Sequence, residues 1–448
     1  MQSPGNHTMV EAGPTDPRQV IEHSPMTYRQ FAVAAICILI NAIDGFDILA
    51  ISIASPGIAA QWGVGQASLG VLLSAELVGM GLGSIMLGQA ADRLGRRPVL
   101  LGCLLVMTLG MLGAGLAPNF LALAALRLLT GVGIGGMLPC LSAIVAEVTN
   151  RRWRASAVAL MAAGYPAGAV FGGSIATLLM ASEGWRAVFH VGALFSAAML
   201  PVAYIFLPEP LGHAMRRSTG IRRLTSVNRS LRMLGRTPVV DAPLPSDSDR
   251  PRITDLFGKG MAAATLLLTA AYFLHMISFY FFVKWVPKIV ADLGNTALEA
   301  GAALVWANIG GLIGSVLFSA LTWHFSSSRL VVGALIGSFI FIVLFGLAGT
   351  DIDLLFWAAA AAGLFANASI VGLYALIAQV YPERLRAGGA GFSLGLGRAG
   401  AALGPIGGGL LFAQNLNLIS VTVILASGSL LAGFAAFKLI GISARTPG

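Results

Sequence analysis

Twelve long apolar segments run through the sequence, and they restrict its fold more than any other feature. Hydrophobic residues make up 56% of the chain and charged residues only 10%, whereas about 25% of the residues of a soluble protein are charged. A helix needs about 20 mostly apolar residues to cross a bilayer. The pattern therefore predicts an all-α polytopic membrane protein. The predicted spans are 31–58, 69–91, 99–117, 120–146, 155–180, 186–207, 261–287, 299–322, 329–349, 353–380, 388–413 and 416–439.

The net charge of +9 follows from membrane topology rather than from a surface that binds nucleic acid. If both termini are cytoplasmic, most Lys and Arg residues fall in cytoplasmic segments, as the positive-inside rule requires. We therefore predict a multi-pass protein of a bacterial inner (plasma) membrane, a monomer in the lipid bilayer without a nucleic acid partner. The basic residues predicted outside those segments are Arg127, Arg186, Lys284, Lys288 and Arg398.

The sequence offers no signature of an enzyme or of a cofactor site. It contains neither a P-loop nor an H-E-x-x-H motif. Cys37, Cys103 and Cys140 fall inside apolar spans without metal-ligand spacing, so we expect them to pack in the interior rather than bind a metal. Without a nucleotide site, any work that the protein does must take its energy from an ion gradient or from a solute's own gradient.

One polar stretch divides the twelve spans into two groups of six. We predict a disordered cytoplasmic tail at 1–30, a six-helix bundle at 31–207, a second bundle at 259–440 and a tail at 441–448. Residues 208–258 are rich in Arg, Ser and Pro. They are predicted to form a solvated cytoplasmic linker, with some of them able to lie as a helix on anionic lipid.

The two groups of spans repeat each other in sequence. The shift that aligns Arg154 with Arg386 also aligns Gly168 with Gly400; we call it the repeat shift. Parallel repeats of six spans are typical of one transporter architecture, in which the substrate binds near the midplane between the halves.

Four charged residues are predicted to handle protons. Asp44 and Asp47 lie in the first span, where each carboxylate costs roughly 2.5–3.5 kcal/mol, and their spacing puts both on one helical face. A rise of about 1.5 Å per residue places Asp44, Glu76 and Arg127 each about 10 Å from the outer face. Burial and like-charge crowding favour the neutral form of a carboxylic acid, as a proton carrier requires. Structural ion pairing is the alternative.

A second set of residues is predicted to bind the substrate. Arg398 lies about 15 Å into its span without a predicted acidic partner, and a carboxylate would satisfy its guanidinium bidentately; packing against helix-end carbonyls is the alternative. Lys284 is expected near the outer mouth, where it attracts anions or snorkels. Aromatic rings could stack on a planar substrate, and a histidine could act as a proton switch. With Arg398, the predicted substrate set is Asp44, His275, Tyr280, Trp306, Asn308, Asn367 and Tyr374.

The loop after the second span carries a recognisable motif. It reads Gly88-Gln-Ala-Ala-Asp92-Arg93-Leu-Gly95-Arg96-Arg97 and resembles the G-x-x-x-D-R-x-G-R-R signature of the major facilitator superfamily. The resemblance implies the major facilitator fold and a gating role for this loop, in which the aspartate helps to lock the two halves together on the cytoplasmic side. Glu147 and Arg386, in the repeated loops, are assigned to the same gating set.

One subfamily resembles the chain in further places. Asp44-Gly-Phe-Asp47 is similar to the D-G-x-D element of the aromatic acid:proton symporters, and 381–387 and 395–405 resemble the region of its eleventh span. The resemblance implies uptake of an aromatic acid together with protons. Glu76 and Lys284 depart from the subfamily pattern. The alternatives are an importer of non-aromatic carboxylates such as muconate-like dicarboxylates, an exporter, and a membrane sensor or scaffold with a transporter fold.

Overall fold

The structure is a computed structural model that describes residues 16–217, 220–240, 253–258 and 261–443. Within these residues the regular elements are helices. The first nine are α1 (Pro17–His23), α2 (Tyr28–Trp62), α3 (Gln66–Leu94), α4 (Arg96–Gly115), α5 (Phe120–Val148), α6 (Arg154–Ser182), α7 (Trp185–Phe206), α8 (Leu211–Arg217) and α9 (Gly220–Met233). After a 3₁₀ turn (Ile253–Phe257) come α10 (Ala262–Asp292), α11 (Ala297–Leu321), α12 (Ser327–Leu347), α13 (Ile352–Val380), α14 (Glu383–Ala413) and α15 (Leu418–Ser443).

Eleven of the described helices have the length and hydropathy of a membrane span. The one long described helix outside this set is α14, which has 31 residues but is rich in glycine and carries Arg398. It packs against α3 and α10 inside the bundle. The prediction of an all-α protein with twelve membrane helices is confirmed.

The two halves of the bundle pair their helices in the same way. In the first half α2 packs on α6, α3 on α5, and α4 on both α5 and α7. The second half repeats this order, with α10 on α14, α11 on α13, and α12 on both α13 and α15. Each half therefore has its own core, and the contacts between halves are made mainly by α3 with α14, α6 with α11, and α2 with α10.

Glycines related by the repeat shift allow the closest helix contacts. A Cβ atom added at Gly168 would lie 1.8 Å from the carbonyl oxygen of Ala42. Its equivalent, Gly400, has the carbonyl oxygen of Phe273 at 2.4 Å from the same position. Small residues allow such backbone approach in membrane helices, so both α2–α6 and α10–α14 pack closely.

The polar segments on either side of the first half are more ordered than predicted. The sequence predicts a disordered tail over 1–30, but α1 is capped by the Asp16 carboxylate and buries Ile21. The predicted linker at 208–258 is likewise not simply solvated. Helices α8 and α9 bury apolar side chains in the same cluster as Ile21, among them Leu211, Met215, Val227, Leu231 and Leu234. Residues 1–15, 241–252 and 444–448 lie outside the described part of the chain.

The described hydrogen bonds between the two halves lie toward one face of the bundle. We call the face where α2 begins and α15 ends the terminus face, and the opposite one the far face. Ser74 donates to the carbonyl oxygen of Ala402 at 2.7 Å, and Gln66 donates to Asp292 at 3.3 Å. The halves are therefore closed against each other from the middle of the bundle to the far face.

Candidate functional site

A buried ion network joins three helices of the first half. Nη1 of Arg127, on α5, lies 2.8 Å from Oδ1 of Asp47 on α2, and Nη2 lies 2.7 Å from Oε2 of Glu76 on α3. Nη2 also donates to the backbone oxygen of Asp47 at 3.2 Å. All three side chains are fully buried. The predicted grouping of Asp47, Glu76 and Arg127 is thus present, with the guanidinium between two carboxylates.

Lys284 extends this network across the two halves. The sequence places it near the outer mouth, but in the structure it is fully buried on α10. Its Nζ lies 3.4 Å from Oε2 of Glu76 and donates to the backbone oxygen of Ile48 at 2.5 Å. The expectation of an exposed anion attractor is wrong, because α3 places a carboxylate opposite α10 at this depth. Two acids and two bases thus form one enclosed, charge-balanced cluster.

Asp44 is buried like Asp47 but has a different environment. Its side chain is only 4% exposed, and Oδ1 has no hydrogen-bond partner among the described residues. Asp47, Glu76 and Arg398 lie within electrostatic range of it. Asp47 is therefore paired with Arg127, whereas the Asp44 carboxylate is available to a proton or a ligand.

Arg398 reaches from the second half to the first. Its guanidinium is half-buried, and Nη1 donates to the backbone oxygen of Met80, in the middle of α3, at 3.0 Å. Arg398 thus contacts a backbone carbonyl, as the alternative prediction expects, but this carbonyl lies in the middle of a helix rather than at its end. The remaining N–H groups of the guanidinium give it the capacity to bind a carboxylate.

Four tyrosines accompany Arg398 and Asp44. The Tyr272 and Tyr374 hydroxyls lie 3.3 Å apart, and their ring centroids are 5.9 Å apart. Tyr280 is within electrostatic range of Tyr374, Arg398 and Asp44, and Tyr165 is within range of Asp44, Tyr280 and Tyr374. Tyr165 and Tyr272 were missed by sequence reasoning. The repeat shift aligns Tyr165 with the residue before Arg398, a signal that could have found it.

His275 makes both of its described hydrogen bonds inside the second half. The ring is fully buried in the second half, with Nδ1 2.9 Å from the Ser429 hydroxyl and Nε2 3.0 Å from the Ala366 carbonyl oxygen. Since the carbonyl only accepts, Nε2 carries the proton and Nδ1 accepts from Ser429. Both nitrogens are satisfied, so the histidine ties α10 to α13 and α15.

Three other predicted substrate residues make local contacts instead. The Asn308 and Asn367 amides donate to the carbonyl four residues earlier in their own helices, at 2.8 and 3.1 Å. Trp306 is 41% exposed and packs beside Phe356 and Trp357. Asn367 faces Gly311 on α11. These three side chains lie where α11 packs on α13. In contrast, Tyr280 is within electrostatic range of Tyr374 and Arg398.

The signature loop is organised by an acid that sequence reasoning did not single out. Glu209 accepts hydrogen bonds from the backbone N–H groups of Arg96 and Arg97 at 2.8 and 3.2 Å. These N–H groups lie at the start of α4, where the helix itself offers them no acceptor. Burial raises the pKa of the Glu209 carboxyl above its ordinary value, and these two N–H donors oppose the shift. Gly95 has φ of 112°, and a Cβ there would lie 2.8 Å from the Glu209 carboxylate.

The other gating residues lie around the same loop. Arg96 pairs with Glu147 at 3.6 Å, and Glu147 accepts the backbone N–H of Gly212 at 2.8 Å. Gly88 lies in the last turns of α3, and Asp92 and Arg93 are exposed at its end. The Arg386 side chain lies outside the described residues. The described part of the set thus joins α4 and α5 to the linker helices at the terminus face.

Comparison with known proteins gives consistent matches over nearly the whole chain. The family model described as "Major Facilitator Superfamily" matches residues 37–270 and 268–448. The gallate transporter of Pseudomonas putida is 29% identical over 408 residues, covering 90% of each chain. The 4-hydroxybenzoate transporter PcaK of Acinetobacter baylyi is 28% identical over 427 residues, covering 94% of this chain and 93% of the relative.

Among solved structures, a bacterial homolog of the human lysosomal transporter Spinster matches with a TM-score of 0.71 at 16% identity. The match covers 94% of this chain and 98% of that structure. At this identity the likeness concerns the fold alone, which is the twelve-helix arrangement described above.

Proposed function

Because the chain belongs to the Major Facilitator Superfamily, and so is a transporter rather than an enzyme, we propose that it imports an aromatic or related small organic acid together with protons. The observation that carries the proposal is the pair of opposed charges between the halves. On α2, Oδ1 of Asp44 is buried without a hydrogen-bond partner among the described residues, and the half-buried Arg398 on α14 lies within electrostatic range of it. The carboxylate of the substrate pairs with the Arg398 guanidinium, and a proton neutralises the Asp44 carboxylate.

The tyrosines define the shape of the proposed substrate. Tyr272 and Tyr374 offer ring faces and hydroxyl groups beside Arg398, and aromatic pairs favour offset or edge contacts with a planar ring. An aromatic acid would place its carboxylate on Arg398 and its ring among the tyrosines. The curated relatives support this chemistry, since they are named as gallate and 4-hydroxybenzoate transporters.

The buried position of Lys284 argues against the dicarboxylate alternative. A second carboxylate needs a second free cation, and Nζ of Lys284 is already held by Glu76 and Ile48. The sensor or scaffold alternative gains no support from relatives that are named transporters. A single carboxylate, read by Arg398, fits the described charges better.

The orientation follows from the same proposal. Basic residues are concentrated at the terminus face, which we assign to the cytoplasm of a bacterium, with the protein acting as a monomer in the inner membrane. Because the far face is closed between Gln66 and Asp292 and between Ser74 and Ala402, we assign the structure to a conformation in which the substrate site is shut off from the outside.

Transport by the purified protein in proteoliposomes tests the proposal. Radiolabelled 4-hydroxybenzoate should accumulate when the outside is acidified, and a protonophore should abolish the accumulation. The amide of the same compound should neither accumulate nor compete. Equal uptake with and without the proton gradient refutes proton coupling, and equal competition by acid and amide refutes recognition of the carboxylate.

A further inference from the structure

The contact between Glu76 and Lys284 lies across the moving boundary of the protein. Glu76 belongs to α3 in the first half and Lys284 to α10 in the second. Their polar atoms are 3.4 Å apart, and both side chains are fully buried. Glu76 lies about 15 Å and Lys284 about 12 Å from the far ends of their helices. Opening the far face must therefore pull the lysine away from the glutamate.

The charges around Glu76 balance only while the lysine is present. Arg127 on α5 lies 2.7 Å from Glu76 and 2.8 Å from Asp47 on α2. With Lys284 the cluster holds two acids and two bases. Without it, two carboxylates share one guanidinium in the membrane interior, where an unpaired charge is costly. Asp44 on α2 is also within electrostatic range of Glu76, and Arg398 on α14 is within range of Asp44; these two groups have opposite signs and leave the sum unchanged.

Glu76 has a free position for the replacement charge. Its two ion pairs, to Arg127 and Lys284, are both made by Oε2. Oε1 is buried and has no hydrogen-bond partner among the described residues. A proton on Oε1 would neutralise the carboxylate without displacing Arg127 from Oε2.

We propose that Lys284 and a proton alternate as the partner of Glu76. The lysine neutralises Glu76 while the far face is closed, and a proton from the far side takes its place when the halves separate there. When the halves close again, the ammonium group returns to Glu76 and Ile48, and the proton leaves as hydronium toward the terminus face. This inference rests on the proposed proton-coupled import, and it assigns one coupled proton to Glu76, separately from Asp44.

The test replaces the pair by neutral side chains of similar size. Glu76→Gln with Lys284→Met leaves Asp47 and Arg127 paired and avoids a single unpaired charge. The matched control is Lys288→Met, one turn further along α10, which breaks an ion pair with the exposed Asp292 at the far end of the same helix. Each protein is reconstituted with the membrane potential clamped at zero, and both 4-hydroxybenzoate accumulation and the proton-to-substrate ratio are measured.

The double variant should exchange labelled for unlabelled substrate but carry one proton fewer per substrate. Its accumulation ratio should then fall about tenfold for each unit of imposed pH gradient, and the control should match the wild type. A double variant with the wild-type proton ratio overturns the alternation while leaving proton-coupled import intact. A wild type whose uptake ignores the gradient overturns both.

A measurement on the wild type decides the matter if the double variant is inactive. A membrane-impermeant amine reagent is applied from the far side, and modification of Lys284 relative to Lys288 is read by mass spectrometry. Because a proton on Glu76 favours the state in which Lys284 is released, the ratio should rise as the external pH falls. A ratio that is constant with pH overturns the proposal.

Discussion

Replacing Arg398 should separate recognition of the carboxylate from packing. In the structure its guanidinium makes one described hydrogen bond, to the Met80 carbonyl, and is half-buried. A hydrogen bond to a charged group contributes about 1.5–3 kcal/mol. Arg398→Ala should therefore weaken binding of 4-hydroxybenzoate about 10- to 150-fold, since about 1.4 kcal/mol corresponds to a factor of ten.

The Arg398→Lys variant and a neutral ligand sharpen the test. Lysine keeps the charge but loses the planar fork that matches a carboxylate, so this variant should fall between wild type and Arg398→Ala. The amide analogue should bind weakly to the wild type and lose little more in the alanine variant. Calorimetry measures the affinity of the wild type and of both Arg398 variants for the acid and for its amide. Arg222→Ala, on the exposed side of α9, serves as the surface control.

One outcome would refute this reasoning directly. If acid and amide lose affinity by the same factor in Arg398→Ala, the arginine supports the fold of the site through Met80 rather than reading the carboxylate. The substrate carboxylate would then need another partner, and the assignment of Arg398 would fail.

Three further changes test the buried network and the helix contacts. Arg127→Ala should cost about 3–5 kcal/mol, because it leaves the buried Asp47 carboxylate unpaired and Glu76 with Lys284 alone; thermal unfolding next to Arg222→Ala measures it, and equal melting temperatures contradict it. Asp44→Asn should fold normally yet lose proton-driven accumulation, whereas Asp47→Asn should also lower the melting temperature because only Asp47 pairs with Arg127; the reverse order would be inconsistent with the network. Gly168→Ala should cost about 1–3 kcal/mol, since its Cβ would lie 1.8 Å from a backbone oxygen, and an unchanged melting temperature would show that α2 and α6 can move apart freely.

The sequence predicts the number of the membrane helices well, because hydropathy depends on local composition. The helix ends were predicted less well. The first span was placed at 31–58, whereas α2 covers Tyr28–Trp62 and starts at a capping box formed by Thr27 and Gln30. Polar capping residues extend a helix beyond its apolar part, which a hydropathy criterion does not count.

The sequence singles out the charged residues of the buried cluster but not their arrangement. Spacing alone places Asp44 and Asp47 on one face, but it cannot show that, of these two aspartates, Arg127 pairs with Asp47. Lys284 is predicted at the outer mouth because it lies near the end of its span, and the sequence does not show that its partner Glu76 lies on a helix of the other half. His275 was undecided for the same reason, since its partners come from α13 and α15.

The linker was misjudged although its pattern was visible. Val227, Leu231 and Leu234 follow the spacing of one helical face, and all three are buried against the first half. The high arginine content of 208–258 dominated the composition and concealed this stripe. Composition counts the residue types of a segment, whereas its packing on the bundle depends on where its few apolar residues lie.

The docking of α8 and α9 also locates the seam between the two six-helix units. If the gene were divided after Leu207, the first unit would lack α8 and α9, which cover its apolar cluster. Ile21 and Val148 would then lose other members of that cluster. A division after Val240 would keep that cover, because Leu234 and Arg236 remain bound to Thr27 and Gln30. Separately expressed halves should therefore be divided on the second unit's side of α9.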